Sequence, residues 1–228
     1  MKAIAIITAR GGSKRIPRKN IKNFLGKPIL LYSIEAALAT ELFQEVMVST
    51  DDEEIARIAR AAGASVPFYR STKTSNDYAT TAEVVGEVLE EYEKLGMQFD
   101  YACCIYPTAP FLTKAKLEEA MKVLIDTKCH TVMPVVAYSF PPQRSVVVRD
   151  GYLVPTNQED MKKRSQDLEP YYHDCGQFYW LHVPAFLEQK QMIMEHTCPV
   201  FVSELEVQDI DSDVDWKLAE LKYEIMIR

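Results

Sequence analysis

The sequence predicts an α/β protein on a mostly parallel open sheet, and three observations carry that expectation. Short apolar runs alternate with amphipathic helical stretches from the start to about position 137. The first run, residues 3–9, has Ile at positions 4, 6 and 7 and stays apolar at successive positions, as a strand buried on both faces does. It is closed by Gly11-Gly12, and most later runs also lead through a turn signal into a helix. That is the rhythm of parallel strands joined by right-handed crossovers.

Taken in order, residues 23–28 form a turn, and Pro28 suits the first position of a helix running to about Thr40 with Leu31, Ile34 and Leu38 on one face. Residues 46–48 are a second buried strand. The Ser49-Thr-Asp-Asp-Glu-Glu54 stretch then supplies a capping hydroxyl or carboxylate, followed by acids, for a helix over 53–62 that Gly63 stops. Residues 65–69 are expected as a third strand and 70–77 as a polar loop. The helix over 80–95 carries Val84, Val88, Leu89, Tyr92 and Leu95 at core spacing and ends at Gly96. Residues 101–106 make a fourth strand, Pro107-Thr-Ala-Pro110 a rigid turn, 114–126 a helix and 131–136 a fifth strand. No internal repeat or low-complexity segment is visible.

The rhythm breaks near Tyr138. After Pro141-Pro142, residues 145–149 and 152–155 read as a hairpin across Asp150-Gly151, and 157–169 is a polar run of mixed charge. Residues of about 138–170 are therefore expected to form a hairpin-bearing insert, a dimerisation arm, within a single domain spanning 1–228. A homodimer is expected, because a hairpin rich in Val and Tyr needs a surface to bury. Strand character returns at 177–181, Pro184 opens a short helix, 200–202 and 205–207 are strand candidates, and Ser212 caps a last helix over 214–225.

A chain of 228 residues that is 47% hydrophobic can bury a full core. Its net charge of −7 argues against nucleic-acid or anionic-membrane partners, which need a broad basic face. The five cysteines are odd in number and include no C-x-x-C pair, so neither a disulfide framework nor a zinc site is expected, and a cytoplasmic location is. Residues 3–9 are too few to span a bilayer and lack the pattern of a secretory leader.

Against this acidic background one loop is strongly basic. Arg10, Lys14, Arg15, Arg18, Lys19 and Lys22 occur with no acidic residue among them. Taking those six from 26 Lys+Arg leaves 20 against 33 Asp+Glu, so the rest of the chain carries −13 while this loop carries +6. A charge run alone is most often a solvated face. Its place directly after the first strand, with glycines that open the backbone to a ligand, instead suits phosphate binding at the carboxyl end of a sheet. The spacing matches neither G-x-x-x-x-G-K-[ST] nor G-x-G-x-x-G, which disfavours a P-loop kinase and a typical dinucleotide fold.

The stretch Ile7-Thr-Ala-Arg-Gly-Gly-Ser-Lys-Arg-Ile-Pro-Arg-Lys-Asn20 resembles the opening signature of the acylneuraminate cytidylyltransferases, and Ser49-Thr-Asp-Asp-Glu53, Pro107-Thr-Ala-Pro110 and Asp209-Ile-Asp211 follow in the family's order. Within the family, Tyr172-His-Asp-Cys-Gly-Gln-Phe-Tyr-Trp180 is similar to the version in enzymes for pseudaminic acid. The resemblance implies a Rossmann-like open sheet of the nucleotide-diphospho-sugar transferase type. It also implies a magnesium-dependent reaction in which CTP and a nine-carbon 2-keto-3-deoxy acid give the CMP-sugar and pyrophosphate, supplying activated sugar for glycans.

The match implies Arg10 and Lys19 as triphosphate and leaving-group contacts. Ala9, Gly11, Ser13, Lys14 and Asn20 belong to the same nucleotide loop, and Arg70, Asp77 and Thr80 to the region of base and ribose. Pro107, Thr108, His173, Asp174 and Gln177 are the expected sugar-binding residues, and Asp209 and Asp211 the Mg2+ ligands, Asp211 with a catalytic part. Two aspartates at i and i+2 on an extended segment point the same way, and two suffice for a magnesium ion that bridges phosphates. Ordinary roles stay open for some: Asp77 near a helix start, Arg70 on a surface loop, a structural His173. Related enzymes for an eight-carbon acidic sugar place a metal-binding Asp near the Pro107 turn; this chain has none between Tyr106 and Thr113. N-acetylneuraminic or legionaminic acid as the sugar, and a non-catalytic nucleotide-binding regulatory module, are the alternatives.

Overall fold

A computed structural model describes residues 1–227. Its elements in chain order are β1 (Ala3–Thr8), β2 (Asn23–Phe24), β3 (Lys27–Pro28), α1 (Leu30–Leu38), β4 (Glu45–Ser49), α2 (Glu53–Ala61), α3 (Thr72–Ser75), α4 (Thr81–Lys94), β5 (Tyr101–Ile105), α5 (Lys114–Thr127) and β6 (Thr131–Ala137). There follow β7 (Val146–Arg149), β8 (Tyr152–Pro155), α6 (Gln158–Met161), β9 (Tyr172–Asp174), β10 (Phe178–His182), α7 (Val183–Gln189), β11 (Thr197–Phe201) and α8 (Asp213–Met226).

A seven-stranded sheet runs β11-β6-β10-β5-β1-β4, with β9 beside β6. β1 lies parallel to β4 and β5, and β11 parallel to β6, whereas β10 is antiparallel to both neighbours and β9 to β6. The apolar run of β1 is explained by burial on both faces. Ala3, Ala5 and Ile7 face a layer with α1, α2 and α5, while Ile4 and Ile6 face Val85, Val88, Leu89 and Tyr92 of α4 and Phe186 of α7. Buried apolar residues on both sides make continuous hydrophobic strands stable.

Helix starts follow their capping chemistry. Asp52 accepts from the Ile55 amide at α2, Thr80 and Glu83 form a reciprocal capping box at α4, and Ser212 and Asp215 form one at α8. Four local expectations are corrected. Residues 65–69 are not a strand; only Ser65 bridges Met47, and within 70–77 a short helix, α3, forms. Pro28 pairs in the small β2–β3 ladder, and the helix starts at Leu30. Residues 204–206 are a 3-10 turn capped by Ser203 rather than a strand, because the Ser203 hydroxyl and Glu206 carboxylate take the local amides.

A separate cluster ties the site region together. Ile16 of the basic loop, Phe24, Ile29, Tyr32, Phe111, Ile210, Trp216 and Ala219 are mutually packed, with Ile16 and Ile210 almost fully buried. Burying an Ile side chain stabilises by about 1.5–3 kcal/mol. The basic loop and the 209–211 segment are thus held to one another by apolar packing, independently of their charges.

Candidate active site

The carboxyl ends of β1 and β5 open into a cavity of roughly 740 Å³. Its wall includes Arg10, Ser13, Lys14, Arg15, Lys19 and Asn20 from the basic loop. Asp77 and Tyr78 come from the loop before α4, Thr81 from the first turn of α4, and Tyr106, Pro107 and Thr108 from the end of β5. Open α/β sheets place ligands at this end of their strands.

The six cations are not bare. Arg10 Nη1 lies 2.9 Å from Asp77, and Lys14 pairs with the same carboxylate. Arg15 lies 2.6 Å from Asp211, which Lys19 also approaches at 3.6 Å while Lys19 Nζ donates to the Ile210 carbonyl at 2.6 Å. Arg18 grips Asp52 through both terminal nitrogens and reaches Glu54. Lys22 pairs with Asp213 at 3.1 Å and sits over the Trp216 ring. Asp52, Glu54, Asp77, Asp211 and Asp213 are therefore the counter-charges of the loop. Lys14 first, and Arg10 with it, holds the Asp77 carboxyl below its ordinary value, and the Arg18 bond does the same for Asp52.

The glycine reading needs a correction. The Gly11 amide is not offered to a ligand, since it donates to Asp51 Oδ1 at 2.8 Å. Gly11 is required by space: an added Cβ would lie 2.8 Å from an Asp52 carboxylate oxygen. Ala9 is fully buried, with its amide bound to the Ser49 carbonyl. Asn20 donates to the Arg10 carbonyl at 2.8 Å, which sets the bend of the loop.

Other expected residues lie elsewhere. Arg70 does not line the cavity. It is 8% exposed and donates to the Ser49 hydroxyl at 3.0 Å and carbonyl at 2.7 Å, buttressing the end of β4. Burial pushes its guanidinium down to about 10, so it stays charged at neutral pH. The Thr80 hydroxyl is engaged in the α4 capping box, and its neighbour Thr81 faces the cavity. Asp209 and Asp211 do not point into one site. Asp211 meets Arg15 and Lys19, whereas Asp209 lines a separate cavity of about 200 Å³ with His173, Ser139, Glu204 and Lys222. Ile210 is drawn into the apolar cluster and the Asp211 amide is taken by Asp215, which removes the free strand alternation assumed for this pair. Among the described residues no group of three or more His, Cys, Asp or Glu side chains is placed to hold a metal.

The 172–177 segment also divides. His173 lines the smaller cavity. The Asp174 carboxylate accepts from the Tyr179 hydroxyl and the Gly176 amide. Gln177 is 2% exposed and its Nε2 donates to the Glu206 carbonyl at 2.6 Å, so it contributes from beneath the surface. Sequence reasoning missed Thr8, Ile16, Tyr78, Thr81 and Tyr106 as lining residues. Tyr106 was findable, since it ends the expected strand 101–106 just ahead of Pro107.

The chain that carries this cationic cavity has known relatives in sequence and in fold. The sequence model for "Cytidylyltransferase" matches residues 4–207. The chain belongs to the cytidylyltransferase family. It is 39% identical over 226 residues to a pseudaminic acid cytidylyltransferase of Campylobacter jejuni, covering 99% of this chain and 97% of that protein. It is 31% identical over 228 residues to a CMP-N,N'-diacetyllegionaminic acid synthase of Legionella pneumophila, with 99% and 97% covered. Its fold is similar to that of a CMP:2-keto-3-deoxy-manno-octonic acid synthetase solved with CTP, at a TM-score of 0.70, 19% identity and 99% coverage of both chains. As a cytidylyltransferase the protein is a nucleotidyltransferase, and the expected Rossmann-like, mostly parallel sheet is its fold. No described helix is long and apolar enough to cross a membrane.

Proposed function

We propose that this cytidylyltransferase converts CTP and pseudaminic acid into CMP-pseudaminic acid and pyrophosphate. The observation that carries the reading is the convergence of Arg10, Lys14, Arg15 and Lys19 on one cavity, in a chain similar end to end to enzymes named for that sugar. The anomeric hydroxyl attacks the α-phosphorus in line as pyrophosphate leaves, and the protein contributes positioning and charge neutralisation. Arg10 and Lys14 exchange Asp77 for triphosphate oxygens, and their ion pairs with Asp77 keep the cationic side chains extended and ready. Lys19, fixed by the Ile210 carbonyl and Asp211, presents its ammonium to the leaving phosphates.

Magnesium fits the donor chemistry. Asp211 sits half-buried against Arg15 and Lys19 of the cavity wall, and the Asp209 carboxylate has no hydrogen-bond or ion-pair partner among the described residues; both supply the hard oxygens magnesium prefers. Asp211 would hold the ion with the triphosphate, and Asp209 would join if its segment turns. Bound there, magnesium neutralises charge on the phosphates. Arg15 and Lys19 then hold and orient the Asp211 carboxylate.

Pyrophosphate release from CTP, with pseudaminic, legionaminic and N-acetylneuraminic acids in parallel, tests the reading. Turnover with pseudaminic acid alone, abolished by chelation and restored by magnesium, is the expected result. Turnover with the legionaminic compound instead keeps the chemistry and reassigns the sugar, a reading favoured by the likeness to the Legionella synthase.

We further propose a cytoplasmic homodimer formed through the 138–170 arm. Among the described residues strands β7 and β8 pair only with each other, and Val148, Tyr152, Leu153 and Phe140 are each more than 70% exposed. Such an apolar patch suits a self-complementary interface. Light scattering at twice the chain mass of 26.0 kDa is expected, and a monomer at working concentration overturns it.

A further inference from the structure

We infer that Asp174 is a positioning residue that acts through Tyr179 on Tyr106, and that the Tyr106 hydroxyl is a specificity-determining contact for the sugar; this rests on the function proposed above. Tyr179 lies opposite Cys104 in the antiparallel β10–β5 pair, and Tyr106 comes two residues after Cys104. Side chains two apart on a strand share a face, so the two phenols are diagonal neighbours across the strands. Their ring centroids are 5.7 Å apart at 57°. Tyr179 is 4% exposed and its hydroxyl donates to the Asp174 carboxylate. The Asp174 carboxylate is itself oriented by the Gly176 amide at 2.8 Å. Gly176 adopts a positive φ of 59°, and a Cβ built on it would stand 3.9 Å from the Tyr106 ring, so this turn lies against that ring. On the cavity side the Tyr106 hydroxyl lies 3.3 Å from the Thr81 hydroxyl.

Tyr106 is thus held on three sides: by Tyr179, by the 174–176 turn and by Thr81. Burial raises the affinity of its hydroxyl for its proton, and the Asp174 charge adds to that. The group entering the cavity wall is therefore a neutral phenol able to donate and to accept. Such a group selects a hydroxyl or acylamino substituent by geometry, because an unmatched partner leaves a polar atom unpaired. Asp174, a residue that by sequence reads as a direct sugar ligand, acts here one shell removed. Its carboxylate is spent on Tyr179 and Gly176, and it does not line the cavity.

The test is a double-mutant cycle in the full-length enzyme. Y106F is expected to raise the KM for the sugar about tenfold with the KM for CTP unchanged within about twofold. Y179F, which keeps the ring and removes only the hydroxyl, and D174N are expected to move the same constant in the same sense by about three- to tenfold. In the Y106F/Y179F double variant the effects do not multiply, and the sugar KM matches that of Y106F alone. Multiplying effects, or equal changes in both KM values, overturn the inference. A second readout is independent of which sugar is taken. With 13C-labelled tyrosine, the Tyr106 ring resonance, assigned by its loss in Y106F, is expected to shift in both Y179F and D174N. An unmoved resonance overturns the coupling even if the enzyme proves to use another substrate, whereas a wild-type enzyme silent on pseudaminic acid with a shifted resonance counts against the sugar assignment alone.

Discussion

Residues 10–22 and residues 172–179 were both dense in expected site residues, and they fold to opposite effect. From the basic loop, Arg10, Ser13, Lys14, Lys19 and Asn20 all reach one cavity. From the second segment, His173 reaches a separate cavity, Asp174 turns to Tyr179, and Gln177 is buried with its amide on the Glu206 carbonyl. The difference is one of physical encoding. A loop following a buried strand has no face to obey, and its long cationic side chains find their counter-charges wherever the chain brings them. In a strand–turn–strand segment, alternation and the neighbouring strands decide where each side chain points.

The cations of the basic loop carry the largest effects. R10A and K19A should each lower kcat/KM for CTP by about 10²–10³-fold, since a preorganised cation facing developing phosphate charge is worth several kcal/mol. Steady-state kinetics with a thermal melt as control checks this. Loss of activity that tracks loss of fold would make the loop structural. A smaller contrast separates the two aspartates: D211N should cost about 10²-fold in kcat and D209N about tenfold, because only Asp211 is already joined to the catalytic cations. Equal losses, with equal weakening of magnesium dependence, would mean that the 209–211 segment turns when substrate binds.

The second half is sharpened by H173A and Q177A. H173A should raise the sugar KM about three- to tenfold with little change in stability, as for a contact at the rim of a cavity. Q177A should destabilise by about 1–3 kcal/mol, because the Glu206 carbonyl loses its buried donor. Urea titration distinguishes them. A stable Q177A with a purely kinetic defect would return Gln177 to direct sugar contact.

Much of the architecture was legible because it rests on local chemistry. Ser212 and Asp52 cap where capping residues should, and the hairpin turns at Asp150-Gly151. What was not legible depends on distant partners. The counter-charges of the basic loop lie far along the chain, Asp211 being 196 residues from Arg15. β10 runs antiparallel to β5, a tertiary fact no apolar run carries. Arg70, expected at the base and ribose, is drawn inside instead, because Ser49 offers two acceptors that let its charge be buried. The Asp209–Asp211 pair was misplaced because Ile210 between them is claimed by the apolar cluster around Trp216.

The smallest expected effect concerns the Arg18–Asp52 link, which holds the outer side of the loop against α2 and does not reach the cavity. Asp52 both caps α2 and binds Arg18, and its carboxyl is held below the ordinary value of 3.8. A carboxyl depressed in the folded state adds stability above its unfolded value and loses it as pH falls through the folded one. The pair therefore contributes fully above about pH 5 and fades in more acidic solution. Asn still caps a helix well, so D52N removes the charge while keeping the cap. At pH 7 D52N should be less stable by about 1 kcal/mol, a figure kept low because Arg18 is partly solvated. Below pH 4 the gap to wild type should close, and kcat should be unchanged throughout. Denaturation midpoints across that range measure it. A gap independent of pH would assign the whole effect to the cap, and a fall in kcat would mean that the outer side of the loop reports to the inner one.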